Sequence, residues 1–226
     1  MRVVEKSWPF AIENADAIEA HWDNARHANP NFFNGAIYLT CAAVVTGDAL
    51  EAELLRTDFK SYLYWRHLRY PPAGVLDAFG SALIRTSDDK IVVGRQAPGN
   101  VNSGLSYPPA GFIDVRDADA DGMIDIARSV AREAIEEIGI DEASLHRELG
   151  FIATHVGPQV SIAVPFRIPM TSNELLALAE RHIASDKAAE LEAVVCVGTL
   201  ADLKGLAMPD YARALLEAQL APSLPR

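Results

Sequence analysis

Residues 131–140 read Ala131-Arg132-Glu133-Ala134-Ile135-Glu136-Glu137-Ile138-Gly139-Ile140, and no other stretch limits the fold as tightly. At the helical period, Glu133 shares a stripe with Glu136 and Glu137, and Arg132 stands one turn before Glu136. Carboxylates at this density repel one another. Divalent cations make such a face tolerable, and hard oxygen donors suit Mg²⁺ or Mn²⁺ better than zinc. A solvated acidic face is the plain alternative. Ile126, Val130, Ala134 and Ile138 recur every four residues and predict a buried stripe, with the acids left to solvent and metal. Gly139 suits a left-handed cap that ends the helix.

Composition sets outer bounds on function. Half of the 226 residues are hydrophobic, enough for one sizeable core and a smaller second lobe. A formal net charge of −11 argues against nucleic acid as the main partner, whose phosphates need a basic surface. Phosphate-bearing small molecules stay open, because bound cations and a few arginines supply positive potential locally. No apolar run reaches membrane-spanning length, and the start Met1-Arg2-Val3-Val4-Glu5 lacks the apolar core of a signal peptide. Cys41 and Cys196 stand apart in apolar runs and read as buried free thiols, so a cytoplasmic setting is expected. The histidines at 21, 27, 67, 146, 155 and 182 show no metal-ligand spacing and read as structural or surface residues.

The acidic segment resembles the Nudix box. The family pattern is Gly, five residues, Glu, seven residues, Arg-Glu, an apolar residue, any residue, Glu-Glu, any residue, Gly and an apolar residue. Arg132, Glu133, Ala134, Glu136, Glu137, Gly139 and Ile140 fit its second half without a gap. Upstream, Tyr107-Pro108-Pro109-Ala110-Gly111-Phe112-Ile113-Asp114 is similar to the family's Pro-Gly-Gly entry loop, with Ala110 for the first glycine. The first half departs from the pattern. Eight residues before Arg132 stands Ile124 in place of Glu, and the run Asp117 to Gly122 lengthens the loop. Asp114, Asp119, Asp121 and Asp125 are the acids that could substitute, and the choice among them stays open.

The resemblance implies roles. Glu133, Glu136 and Glu137, completed by the main-chain carbonyl near Ala110, would hold Mg²⁺ or Mn²⁺ across a pyrophosphate, and Arg132 would orient Glu133. A base from outside the box is also implied, with Glu190 and Glu192 at the head of a strand as candidates; a solvated strand edge explains them equally well. Arg95, Gly111 and Asp114 are the expected substrate contacts.

Periodicity and breakers order the remaining elements. A hairpin is predicted from Phe79–Ile84, a turn at Thr86–Lys90 and Ile91–Gly94, followed by an irregular Pro/Gly/Asn loop from Gln96 to Ser106. Strands are predicted at Leu149–Thr154, Val160–Ile168 and Leu191–Val197, with helices from an N-cap at Ser172 to His182 and over Pro209–Leu220. The first 75 residues hold two helix-like segments, Ala15–Arg26 and Asp58–Leu68, around a β-like stretch at Ala36–Thr46, and close on Tyr70-Pro71-Pro72-Ala73-Gly74. The expected fold is a Nudix-type α/β/α sandwich with a mixed sheet over residues 76–226, and an α+β extension over 1–75. The layout from Asn29-Pro30-Asn31-Phe32-Phe33 to Trp65 is similar to the lead-in of the UDP-glucose diphosphatase branch of that family. Trp65, Arg66, His67 and Arg69 read equally as sugar or phosphate contacts and as packing between lobe and core.

The expected activity is hydrolysis of the pyrophosphate bond of a nucleoside diphosphate linked to another moiety, a nucleotide sugar of the UDP-glucose or ADP-ribose type being favoured. Two alternatives accompany it: a Nudix-fold nucleotide-binding module with little turnover, suggested by Ile124, and a relative that isomerises a diphosphate ester. The expected partner is the small molecule, not nucleic acid or membrane, and a homodimer is an arrangement the chain admits.

Overall fold

In a computed structural model of the chain, residues 1–46, 49–186 and 189–221 are described. They form two compact units: residues 1–78 with 112–126, and 79–111 with 127–226. The loop and insert that precede the acidic helix thus group with the N-terminal residues.

The first unit contains β1 (Arg2–Val4), α1 (Pro9–Glu13), α2 (Ala15–Ala28), β2 (Ala36–Thr46), β3 (Ala49–Asp58) and α3 (Phe59–His67). Its sheet runs β1-β3-β2, with β1 parallel and β2 antiparallel to β3. The strand β3 was not foreseen. Its Glu51, Glu53 and Arg56 dilute the apolar signal, yet Ala52, Leu54 and Leu55 are buried. The core gathers Trp8, Ile37, Leu39, Leu55, Tyr62 and Trp65, with Phe59 and Phe112 against it. The indole N–H groups of Trp65 and Trp8 donate to carbonyls, at Pro71 (2.8 Å) and Ala73 (3.0 Å), so the Pro-Pro-Ala-Gly segment is tied to the core it borders. Asp58 caps α3 by accepting from the Ser61 amide at 3.1 Å.

Residues 112–126 extend this unit's hydrogen bonding. The amides of Tyr38, Val3 and Ile124 donate to the carbonyls of Ile113, Gly122 and Met1 at 2.9, 2.8 and 2.9 Å. The lengthened loop is therefore a laced part of the first unit.

The second unit is built on β4 (Asp77–Arg85), β5 (Ile91–Gln96), β6 (Ser106–Tyr107), β7 (Ala110–Gly111), α4 (Ile126–Ile138), β8 (His146–Arg147), β9 (Ile152–Val156), β10 (Gln159–Arg167), α5 (Ser172–Ser185), β11 (Leu191–Val197) and α6 (Asp210–Leu220). The sheet order is β11-β5-β4-β10-β8, with β6 on β5, β7 on β4 and β9 on β10. Helices pack on it, α5 against β11 and α6 against β9 and β10, which gives the mixed α/β architecture expected. Residues 77–84 are buried without alternation, as a central strand covered on both faces requires. Leu83, Ile91, Val93, Ala163, Val197, Leu203, Leu215 and Leu216 form a core cluster.

Several boundaries move by a few residues. The strand expected from Leu149 begins at Ile152, because Gly150 takes φ 87° and leaves Leu149 wholly exposed. The cap of α5 is Thr171, one residue earlier than expected, with Glu174 completing a reciprocal capping box, and the helix runs on to Ser185. Ser172 is engaged instead by Asp88, whose carboxylate accepts from its amide and hydroxyl, both at 2.7 Å.

Candidate functional site

The acidic helix α4 buries the expected stripe of Ile126, Val130, Ala134 and Ile138. It buries two of its acids as well. Glu133 and Glu137 are only 9 % and 6 % exposed, which corrects the expectation that the acids face solvent. Only Glu136 of the three is exposed. The physical reason lies in the four-residue step from Glu133 to Glu137, which keeps those two on one line while Glu136 rotates away.

Gly111 lies against this line. A Cβ at that position would fall 2.5 Å from Cδ and Oε2 of Glu133, a distance no side chain tolerates. The glycine is held in β7 by pairing with Gly80 of β4, and the Pro109 carbonyl accepts from the Ala82 amide at 2.7 Å, so the backbone that crowds Glu133 is anchored in the sheet. Arg132 Nη2 reaches Glu133 Oε1 at 3.1 Å, the orienting contact that the box resemblance implies.

Glu137 is the electrostatic centre of the cluster. Among the described residues, neither carboxylate oxygen has a hydrogen-bond partner. Burial above all, then the charges of Glu190 and Glu133, push its carboxyl well above the usual range; the Ala110 backbone pulls it part of the way back, and Glu136 adds a smaller upward push. Glu190 thus acts on Glu137 across the unit. Its carbonyl accepts from the Ala97 amide (2.8 Å) and from Asn100 Nδ2 (2.7 Å), and Asn100 also donates to Gln96 Oε1 at 3.0 Å. The irregular loop after β5 is thereby pinned to the residue that leads into β11.

Other expected residues are placed differently. Glu192 sits at a bulge in β11, between Leu191 opposite Gln96 and Ala193 opposite Arg95, and its carboxylate pairs with Arg95 Nε at 2.6 Å. Arg95 therefore has a carboxylate partner already. Asp114 belongs to the first unit, where it pairs with Arg116 at 2.7 Å. Asp119 accepts from the amides of Asp121 and Met123, both at 2.9 Å, and Ile124 is buried. Asp121 and Asp125 are exposed.

The donor set fits a hard divalent cation. It comprises buried carboxylates of like charge, one with both oxygens unsatisfied, beside backbone that only glycine allows so close. Among the described residues, no three His, Cys, Asp or Glu side chains are already drawn to the spacing of a bound ion. A groove of about 410 Å³ lies elsewhere, lined by Leu83, Arg85, Glu148, Leu149, Ile152, Pro165 and Gln219, and none of the clustered acids lines it.

Two residues with evident roles were not singled out from sequence. Asn100 fell within the irregular loop after β5 and was not picked out individually. His182 was assigned to structure or surface, and its Nε2 meets the Glu136 carbonyl at 2.8 Å. Neither contact has a local signal, since the partners lie 90 and 46 residues away.

No family model matches the chain, and no curated protein matches it. Solved structures similar to it include the NUDIX domain of Shewanella oneidensis NrtR in complex with ADP ribose: 16 % identity, 70 % of this chain, 94 % of that chain and a TM-score of 0.43. A MutT protein from Methanosarcina mazei Go1 is 20 % identical over 64 % of this chain and 92 % of its own, with a TM-score of 0.43. A bifunctional NMN adenylyltransferase/ADP ribose pyrophosphatase from Francisella tularensis, complexed with AMP and Mn ion, is 17 % identical over 70 % of this chain and 46 % of its own, with a TM-score of 0.46. Likeness at these levels concerns the fold.

Proposed function

We propose that the chain is a Nudix-type pyrophosphohydrolase that uses Mg²⁺ or Mn²⁺ to cleave a nucleoside diphosphate linked to a second moiety, with a nucleotide sugar as the favoured substrate. The carrying observation is Glu137, a buried carboxylate with both oxygens unsatisfied and the charges of Glu190 and Glu133 directed at it. Leaving such a group charged and unpaired costs on the order of several kcal/mol unless a proton or a cation joins it.

Glu133, Glu137 and, from its exposed position, Glu136 would hold the metal with the Ala110 carbonyl, and Arg132 would keep Glu133 in its rotamer. When bound, the cation would neutralise charge on the phosphate oxygens and lower the pKa of the attacking water. Glu190, pinned by Ala97 and Asn100, is the residue we assign to accept the water's proton. Glu192 is the weaker choice, because Arg95 already neutralises it. Arg95 would contact phosphate only by exchanging that partner.

A chromatographic product assay with Mg²⁺ on UDP-glucose, ADP-ribose, a dinucleotide, coenzyme A and nucleoside triphosphates tests the reading. Nucleoside monophosphate plus sugar phosphate is expected. Preference for triphosphates with pyrophosphate release would refute the substrate choice and leave the reaction class standing. The second reading, a nucleotide-binding module with little turnover, draws on the buried Ile124 where the box has Glu. Tight nucleotide binding without product from any of these compounds would favour it.

A further inference from the structure

We propose that His182 is a positioning residue for the carboxylates of α4: it clamps the last turn of that helix and so holds Glu137 where a cation can meet it. The inference rests on the metal site proposed above. It starts from the charges at the end of that helix. Basic side chains favour a helix C-terminus. α4 has no base in its last turn, while Glu136 and Glu137 stand near its C-terminal end.

The carbonyls of that end also need partners from outside the helix. Gly139 donates its amide to Ile135 O at 2.9 Å. The Glu136 carbonyl receives His182 Nε2 at 2.8 Å, a donor delivered by α5. A carbonyl only accepts, so Nε2 carries the proton. That carbonyl belongs to the planar peptide joining Glu136 to Glu137, so the bond fixes the plane from which the Glu137 side chain departs. Among the described residues, the carboxylate oxygens have no hydrogen-bond partner to hold them from the other end. The imidazole is itself seated on Gly139, where a Cβ would fall 2.6 Å from its Cγ. Gly139 is thus required both for its φ of +79° and for room beneath His182.

The test compares the full-length wild type with His182→Ala and His182→Gln, the amide of Gln being able to donate from a similar reach. Mn²⁺ is titrated into metal-free protein by electron paramagnetic resonance, and hydrogen exchange is followed over α4. His182→Ala should weaken Mn²⁺ binding about tenfold, as loss of a group that orients metal ligands does. Exchange should quicken over residues 136–140 but not over 128–134, and His182→Gln should recover both. Wild-type Mn²⁺ affinity in His182→Ala, unchanged exchange, or failure of Gln to rescue would each overturn the proposal. If the wild type itself binds no Mn²⁺, the metal site falls, and the exchange data alone then decide whether His182 clamps the helix.

Discussion

Each compact unit buries a carboxylate, and the two are treated in opposite ways. Asp77, 2 % exposed in the first unit, accepts from the Tyr62 hydroxyl at 3.0 Å, and Tyr70 donates in turn to Tyr62 at 3.2 Å. The Arg66 guanidinium adds opposite charge, its own affinity for its proton raised by both tyrosines and Asp77. Glu137, 6 % exposed in the second unit, has no hydrogen bond and feels three other acids. A buried charge supplied with donors and a countercharge is finished and holds structure together. A buried charge without them is costly as it stands and gains from a ligand of opposite sign.

Substitution of both acids should break the symmetry most clearly. Glu137→Gln is expected to lower metal-dependent turnover by several powers of ten with the fold intact, because the amide keeps the size and loses the charge. Asp77→Asn should leave kcat within a few-fold and cost about 2–3 kcal/mol of stability, since Arg66 and the tyrosines lose their acceptor charge. Turnover and urea unfolding of the two variants measure this. Near-normal Mg²⁺-dependent hydrolysis by Glu137→Gln would sink the metal assignment.

Crowding tests the same site through its backbone. Gly111→Ala places a methyl group on the Glu133 carboxyl, and kcat/KM should fall roughly 10–100-fold, the range for disturbed ligand orientation. An unchanged kcat/KM would show that Glu133 need not sit where it does.

The pH dependence of metal-free stability sharpens the contrast further. Glu137 binds its proton more tightly in the folded chain than at the ordinary 4.5, so from that value up to its raised folded value the native state holds more protons. Stability from this group is therefore present in mild acid and lost as pH rises. The metal-free melting temperature should decline from about pH 5 upward, Mn²⁺ should reduce the decline, and Glu137→Gln should flatten it. A slope unaffected by Glu137→Gln would assign the effect elsewhere.

The smallest effects concern the insert. Asp119→Asn weakens acceptance from two amides and should cost about 1 kcal/mol. Asn substitutions at Asp114, Asp121 and Asp125 should change kcat only a few-fold. A large loss at any one of them would identify the acid that stands in for Ile124.

How much was legible beforehand follows from the range of each interaction. The hairpin of β4 and β5, the strand Leu191–Val197 and the capped helix α4 lie within short windows, where periodicity and a left-handed glycine speak for themselves. The strand β3 was obscured, because its alternating charges suit a surface that only the pairing with β1 and β2 creates. Phe112 and Ile113 read as part of the entry loop, but Phe112 packs edge-on against Phe59 and Tyr62, and the Ile113 carbonyl accepts from the distant Tyr38 amide.

The sequence by itself determined the chemistry on offer: carboxylates at the helical spacing of Glu133, Glu136 and Glu137, an arginine beside them, a glycine upstream, and an apolar stripe to bury the helix. Spacing along a helix is a local property, so those residue types could be read directly. Only the tertiary structure decided that Glu133 and Glu137 are buried while Glu136 is not, that Glu190 and not Glu192 acts on Glu137, and that His182 closes the helix. Burial, like-charge coupling and capping from another element depend on which distant segments pack together, and that is settled by the sheet, not by the spacing of residues along the chain.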